Sequence, residues 1–284
     1  MIDRRSFLAT LAATLHAARP TVGHAASVPM GLAYTSFAVR LAQGRDLVKS
    51  TGVALPASAF RALCSTFEAR GGQVDFSQLP ADVPAQLADI REAFVAAGLE
   101  VEVSMPARHL QSPESYARAV SVARTLGATR ARVALLSGRR YESFATPAEW
   151  TAFVDTWRTT LVRMRPEFDR HGFAIGLENH KDWLAPDLVA LVKAIGSPHV
   201  GVCVDFGNNL ALLEDPDETI ELLAPLAVTT HVKDMAVRRT DDGFELSEVP
   251  LGTGFLPVAR YVGAVRKARP GAPLFLEMIT RDPL

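Results

Sequence analysis

The chain has little of what several classes of protein require. It has two cysteines, Cys64 and Cys203, which are too few to hold a fold together with disulfides, so we expect small buried thiols. The formal net charge is −1 and there is no long basic run, which argues against a nucleic-acid partner. No apolar stretch approaches the roughly 20 residues of a membrane-spanning helix. The 48% of hydrophobic residues suffices for one barrel or two small domains.

The N-terminal segment is typical of an export signal. Arg4 and Arg5 precede an alanine-rich apolar stretch that ends near Ala18, and small residues follow at 25–26. This pattern predicts a twin-arginine signal in residues 1–26 and a mature chain from residue 27. The protein would then be periplasmic, with no membrane attachment after cleavage. The alternative is an ordinary basic N-terminus.

One later segment, residues 173–183, indicates where a functional site would lie. Its apolar run ends in Glu178, and polar residues that include His180 follow. If Glu178 points inward, the period of two sends Ile175 and Leu177 outward. Branched residues on one face and small ones on the other are typical of a barrel wall covered by helices. The polar end would lie at the C-terminal rim, where the active sites of such barrels are found.

Three later strands end in the same way, at Asp205, His231 and Glu277. Because parallel strands share one C-terminal rim, these residues and Glu178 would meet there. Two glutamates, an aspartate and a histidine suit a divalent metal ion with mainly oxygen ligands.

Eight predicted strands alternate with seven predicted helices, which favours a parallel α/β fold, the (β/α)8 TIM barrel. The strands are expected at 30–34, 73–76, 99–104, 131–136, 173–178, 200–205, 228–231 and 273–277. The helices are expected at 57–70, 83–97, 112–127, 146–171, 186–195, 217–223 and 256–267, and a hairpin at 237–249. The eighth helix is missing, because few residues follow Glu277. We favour a truncated sequence over a barrel that is left open at this flank.

Five motifs, as an ordered set, carry a family resemblance that runs from about Gly31 to Leu284. The chain resembles the sugar phosphate isomerase/epimerase superfamily, the xylose isomerase-like TIM barrels that also include endonuclease IV. The motifs are Gly176-Leu-Glu-Asn-His-Lys-Asp, Val202-Cys-Val-Asp-Phe-Gly-Asn-Asn, Glu214-Asp-Pro, His231-Val-Lys-Asp and Pro250-Leu-Gly-Thr-Gly.

The resemblance implies that Glu178, Asp205, His231 and Glu277 bind one divalent ion. Manganese, magnesium and cobalt are the first candidates, and zinc is a further one. It also implies that Glu178 and Glu277 are catalytic and transfer protons on opposite sides of a small sugar substrate. Removing a proton from a carbon beside a carbonyl needs a carboxylate within reach and an electrophile that stabilises the developing negative charge. The glutamates would supply the carboxylate and the metal ion the electrophile. The sequence leaves open whether the protein forms a homo-oligomer.

The chain departs from the better-known ketose epimerases at three positions. Asn208 stands where those enzymes have a histidine, and Thr253 stands where a loop glutamate is common. The arginine expected after the metal histidine is uncertain, with Arg238 the nearest candidate. These departures put a standard free-ketose epimerase in doubt and leave epimerisation or elimination of 3-keto glycosides open.

Six residues are candidates for substrate binding, and most have a structural alternative. Lys233 could instead pair with Asp234, and Trp183 could be part of the core. Gly252 and Gly254 fit a flexible entry into a helix better than a phosphate site. The six candidates are His180, Asn208, Lys233, Trp183, His109 and Arg238.

Three functions compete at this point. The first is a metal-dependent isomerase, epimerase or related lyase that acts on a sugar or keto-sugar. The second is an endonuclease-type hydrolase, but only five histidines lie outside the predicted leader and the net charge is close to zero. The third is a non-catalytic, exported sugar-binding protein, which the fold alone does not exclude.

Overall fold

A computed structural model describes residues 29–37 and 57–279 of the chain. The predicted leader lies outside these residues, as do residues 280–284. Among the described residues, no helix combines the length and apolar character that crossing a bilayer requires.

Eight parallel strands close into one barrel, which confirms the predicted TIM-barrel fold. Around the barrel each strand pairs with the next barrel strand along the chain, and the last strand pairs with the first. The strands are β1 (Gly31–Ala33), β2 (Gly71–Asp75), β3 (Glu100–Ser104), β4 (Arg130–Val133), β5 (Ala174–Glu178), β6 (Val200–Asp205), β7 (Ala227–Val232) and β10 (Leu274–Leu276). After β10, the described chain contains no helix as far as Ile279.

A two-stranded hairpin interrupts the alternation after β7. Strands β8 (Asp234–Thr240) and β9 (Gly243–Val249) are antiparallel, and Thr240 pairs with Gly243 across the turn. Gly243 has φ +144°, a conformation that favours glycine, as the Asp-Asp-Gly sequence predicts.

Nine α-helices occur in the described residues, and several begin at a side-chain cap. Thr146 and Glu149 form a capping box, and the Ser112 and Asp215 side chains accept backbone N–H groups at the starts of their helices. The helices are α1 (Ala57–Thr66), α2 (Pro84–Ala96), α3 (Pro113–Leu126), α4 (Arg140–Ser143), α5 (Pro147–Arg163), α6 (Arg165–His171), α7 (Ala185–Ile195), α8 (Pro216–Leu223) and α9 (Val258–Ala268).

The single helix expected at 146–171 is wrong, because the chain forms two helices that meet at Met164. Pro166 lies at the start of the second helix and has no N–H to continue the first one.

The main core lies between the barrel wall and the surrounding helices. Ile175, Leu177, Val202 and Val204 are all fully buried in it. Their neighbours of opposite parity on the same strands face the barrel interior, as the alternation predicts. This placement leaves the interior free for the polar groups described next.

Candidate active site

Four buried side chains converge at the C-terminal rim, and we call them the carboxylate–histidine cluster. Glu178 ends β5, Asp205 ends β6, His231 lies on β7, and Glu277 follows β10 directly. One ligand atom from each lies within 4.8 Å of the others. His231 Nδ1 is 3.0 Å from Glu178 Oε1, 3.2 Å from Glu277 Oε2 and 3.8 Å from Asp205 Oδ2. The structure therefore brings together the four residues that the sequence predicted to meet.

The donor atoms of this cluster suit a divalent ion. Asp205 Oδ2 is buried and accepts no hydrogen bond from any described residue, although Lys233 Nζ lies 2.9 Å away. The ammonium and this oxygen form an ion pair without hydrogen-bond geometry, so the oxygen keeps lone pairs for another partner. Three carboxylates and one imidazole match the ligands of magnesium, manganese or cobalt, and zinc also accepts such a set.

Burial and the neighbouring charges shift the pKa values of the cluster residues in opposite directions. Burial would lower the pKa of His231, but the Glu277 and Glu178 carboxylates raise it to about 10. Burial raises the pKa of Asp205 to about 6, even though Lys233 opposes the shift. Burial would also raise the pKa of Glu178, but Arg132 and His231 outweigh it and hold that pKa below its usual range.

The orientation of His231 is set by a polar network inside the barrel. Its Nε2 lies 2.9 Å from Gln73 Oε1, and Gln73 Nε2 donates to Glu102 Oε1 at 2.8 Å. Thr229 donates to the same Glu102 oxygen at 3.0 Å. Because the Gln73 amide nitrogen faces Glu102, the Gln73 amide oxygen faces His231 and accepts from its Nε2–H. The other nitrogen, Nδ1, is then the one that faces the carboxylates, as a metal ligand would.

We expect binding of a divalent ion to release about one proton near neutral pH. With a pKa of about 10, His231 is protonated in the ion-free protein, whereas a metal ligand must be neutral imidazole. The affinity for Mn²⁺ should therefore rise as the pH rises from neutrality towards that pKa. Calorimetric titrations in two buffers of different ionisation enthalpy give the number of protons released.

As a control, His109→Asn should leave that proton count unchanged, since His109 bonds Ser115 outside the cluster. A binding enthalpy that does not depend on the buffer would contradict a protonated His231.

Lys233 and Asn208 are at the cluster. Lys233 Nζ is 2.8 Å from Glu277 Oε2 and 3.4 Å from Asn208 Oδ1, and Asn208 Nδ2 is 3.5 Å from Glu178 Oε1. The alternative pair of Lys233 with Asp234 is not formed. Asp234 instead accepts four backbone N–H groups, two of them from the glycines of the 250–254 loop. Asp234 therefore holds that loop, and two of the loop N–H groups that a phosphate would need are already bonded to it.

The other four candidates lie in different surroundings. His180 is half-buried, and burial lowers its pKa, so it is neutral near Glu178 with a free buried Nδ1. Trp183 is 2% exposed and packs edge-on against Trp150, with which it lines a cavity of about 250 Å³ that no residue of the cluster lines.

Neither His109 nor Arg238 is brought into the cluster. The His109 ring packs at a tilt against Phe76, with ring centroids 5.0 Å apart, and bonds Ser115 at 3.0 Å, which places it beside α3. Arg238 is exposed on the hairpin and pairs with Glu245.

Sequence reasoning missed two residues that contact Glu178 and Glu277. Arg132 on β4 donates to Glu178 Oε2 and, at 3.0 Å, to Ser104 Oγ. Thr35, just after β1, donates to Glu277 Oε1 at 2.8 Å. The signal for Arg132 was present, because an arginine inside a short buried strand needs an anionic partner. Thr35 carried no such signal.

Hydrogen bonds from several motif side chains connect the C-terminal ends of β5 and β6. The Asn179 side chain accepts from Asp205 N–H and donates to Asp205 O, both at 2.8 Å, and it also donates to Asn209 at 2.7 Å. Glu214 accepts from Asn209 and from the backbone N–H of Ala185 at the start of α7. These bonds hold Asp205 and Glu178 side by side, so this part of the motif positions the cluster.

A cavity of about 690 Å³ lies over the C-terminal rim. Its wall includes Lys181, Met235, Glu248 and Ile279, which follow or flank the strand ends of the cluster. Glu248 Oε1 is 3.4 Å from Lys233 Nζ, which connects the wall to the cluster. Lys181 has φ +124°, a rare conformation for a non-glycine residue of the kind often found at functional sites.

A family model and a curated relative each match a large part of this chain. The family model described as "Xylose isomerase-like TIM barrel" matches residues 62–284. The 3-oxo-isoapionate decarboxylase of Pectobacterium atrosepticum is 33% identical over 187 residues, which are 64% of this chain and 62% of that protein. The match thus spans less than two thirds of the relative's length.

Solved structures share the fold at low identity. A xylose isomerase-like TIM barrel protein from Mycobacterium smegmatis, in complex with magnesium, has a TM-score of 0.64 and 16% identity over 89% of this chain and 91% of that one. A D-psicose 3-epimerase, in the presence of D-fructose, has a TM-score of 0.66 and 15% identity over 90% and 86%. At these identities the likeness shows the fold alone.

Proposed function

Because the chain belongs to the xylose isomerase-like TIM barrel family, we propose that it is a divalent-metal-dependent isomerase or epimerase. It would move a proton at a carbon beside the carbonyl of a sugar or keto-sugar. The observation that carries this proposal is the carboxylate–histidine cluster, whose four ligand atoms lie within 4.8 Å of one another. The magnesium complex of the M. smegmatis protein supports a metal in this fold.

The two glutamates would be the proton-transfer groups. A divalent ion held by Glu178, Asp205, His231 and Glu277 would supply the electrophile that polarises the substrate carbonyl. Glu178 and Glu277 approach from β5 and β10, which two further strands separate, so they can face opposite sides of a bound sugar. One removes a proton from carbon and the other returns a proton to the opposite face, which inverts that centre.

Neighbouring residues hold each glutamate in place. Thr35 and Lys233 bind Glu277, whereas Arg132 and Asn208 bind Glu178. Neutral His180 and the Lys233 ammonium are then the candidates for contacts with substrate hydroxyl and carbonyl oxygens.

A second candidate is a lyase reaction on an oxidised sugar, and the decarboxylase relative at 33% identity favours it. In the decarboxylation of a 3-oxo acid, the bond to the carboxylate carbon breaks and CO₂ leaves. Its electron pair forms an enolate, and a glutamic acid then protonates the carbon. Both reactions pass through an enolate, so the same residues serve either one.

The test is exchange of substrate hydrogen with solvent deuterium in the presence and absence of metal. With Mn²⁺ or Mg²⁺ added, we expect deuterium at a carbon beside the carbonyl of a keto-sugar. After a chelator, exchange should fall to background and return when the ion is restored. Release of CO₂ together with deuterium uptake identifies the decarboxylase. Saturable binding without exchange or cleavage would leave only a sugar-binding protein.

We also propose that the protein is exported to the periplasm, on the basis of Arg4-Arg5 and the apolar stretch that follows. The twin-arginine route carries folded proteins, which suits an enzyme whose ion binds before export. Cell fractionation with an Arg4→Lys/Arg5→Lys double variant tests this, since the double variant should stay in the cytoplasm.

A further inference from the structure

Arg132 is a mostly buried cation with unused donors at the edge of the cluster. It donates from Nη1 to Ser104 Oγ at 3.0 Å and from Nη2 to Glu178 Oε2. Its Nε is buried and donates to no described residue. Because a buried donor without an acceptor is unfavourable, this free N–H favours a ligand with acceptor oxygens.

Arg132 is also the cation at the cluster that a ligand can best reach. Its side chain is 14% exposed, whereas the side chains of Glu178 and Lys233 are at most 1% exposed. It lies on β4, on the side of β5 away from β7 and β10, which Lys233 and Glu277 directly follow. A substrate whose carbonyl oxygens lie at the centre of the cluster would therefore meet Arg132 at one end.

The charges around the metal-loaded cluster would not repel an anionic substrate. Four carboxylates are opposed by the Arg132 and Lys233 cations, and a divalent ion would balance the remaining two negative charges. The loaded cluster then has no net charge, and Lys181 in the cavity wall adds positive potential at the entrance. The carboxylates are those of Glu178, Asp205, Glu277 and Glu248.

We propose that Arg132 and Ser104 bind a carboxylate of the substrate, which makes the substrate an oxo-sugar acid rather than a neutral keto-sugar. The planar guanidinium matches the two oxygens of a carboxylate, and the Ser104 hydroxyl supplies a further donor beside it. This assignment rests on the proposed function, since it assumes that the cluster is the substrate site.

The experiment compares two probes that differ only in the acid group. Threonate is a four-carbon sugar acid, and threitol is the neutral polyol of the same length. Their affinities for the Mn²⁺-loaded full-length protein are measured by calorimetry, together with the affinity for Mn²⁺ itself. The variants are Arg132→Gln, Arg132→Lys and Ser104→Ala. Arg238→Gln, at an exposed arginine that pairs with Glu245, is the matched control.

We expect the wild type to bind threonate at least tenfold more tightly than threitol. Arg132→Gln should reduce this ratio at least tenfold, and because Arg132 also binds Glu178 it should weaken Mn²⁺ binding as well, while Arg238→Gln leaves both unchanged. Arg132→Lys and Ser104→Ala should reduce the ratio less than Arg132→Gln does. If Arg132→Gln does not fold, these two variants replace it in the measurement. Because threonate also chelates metal ions, the change in the ratio is the decisive quantity.

An unchanged ratio in the folded Arg132 variants would overturn the proposal. A loss of Mn²⁺ affinity with an unchanged ratio would do so too, because Arg132 would then only position Glu178. The proposed function fails separately, if no keto-sugar or oxo-sugar acid shows metal-dependent exchange. In that case a reduced ratio in Arg132→Gln would still support the carboxylate site.

Discussion

Glu277→Gln is expected to lower the rate of product formation by about 10³–10⁴-fold at saturating metal, while the barrel remains folded. Glu277 Oε2 lies 3.2 Å from His231 Nδ1 and 2.8 Å from Lys233 Nζ. Glutamine keeps the shape and one acceptor oxygen, but its amide neither accepts the proton from carbon nor carries the charge. The measurements are turnover at several Mn²⁺ concentrations and the melting temperature.

Glu178→Gln should give a loss of the same order, and the two variants together assign the roles. The variant that retains the base still exchanges the substrate hydrogen with deuterated solvent, although it forms no product. The variant that lacks the base does neither. Glu245→Gln, at an exposed glutamate of the hairpin, is the control and should have normal turnover. Full activity in both Glu178→Gln and Glu277→Gln would refute the acid/base assignment.

The cluster could be predicted from the sequence because each member stands at the end of an apolar strand. In a parallel barrel the C-terminal strand ends share one rim, so four local patterns specify one location. The hairpin turn and most helix starts were predictable for a similar reason. Capping residues and turn glycines act within a few residues of themselves.

The polar network under His231 could not be predicted in this way. Gln73 bonds His231 across a sequence separation of 158 residues, and Thr229 bonds Glu102 across 127. Alternation along a strand gives the side of the wall on which a residue lies, but not its partner across the barrel. An arginine in the buried strand predicted at 131–136 indicated only that an anionic partner exists, and alternation along that strand does not show that the partner is Glu178 of the next strand.

Residues expected from the loops were the least predictable. Arg238 was a candidate because it follows His231 closely, yet it lies on the exposed hairpin and pairs with Glu245. Trp183 follows β5 as a sugar-binding residue would, but it packs edge-on against Trp150 of α5. Sequence distance from a strand end does not give the direction of a loop, whereas the strand itself gives the direction of its side chains.

Asp234→Ala is expected to lower the free energy of unfolding by about 3–5 kcal/mol, because it leaves several buried backbone donors without an acceptor. Asp234 is fully buried and accepts N–H groups from Met235, Gly252, Gly254 and Leu256 at 2.8–3.2 Å. These bonds tie the loop before α9 to the residue next to Lys233. Denaturant unfolding measures the change.

Two further variants separate this role from a general effect of removing an acid. Asp242→Ala, in the exposed hairpin turn, should change the free energy of unfolding by less than about 0.5 kcal/mol. Gly254→Ala should reproduce the Asp234 effect in part, because an added Cβ would lie 2.2 Å from Asp234 Oδ1. Gly263→Ala, where nothing lies within 4 Å of the added Cβ, should be neutral or stabilising. Equal stability of Asp234→Ala and wild type would show that the loop does not depend on this carboxylate. The position of Lys233 beside Glu277 would then need another explanation.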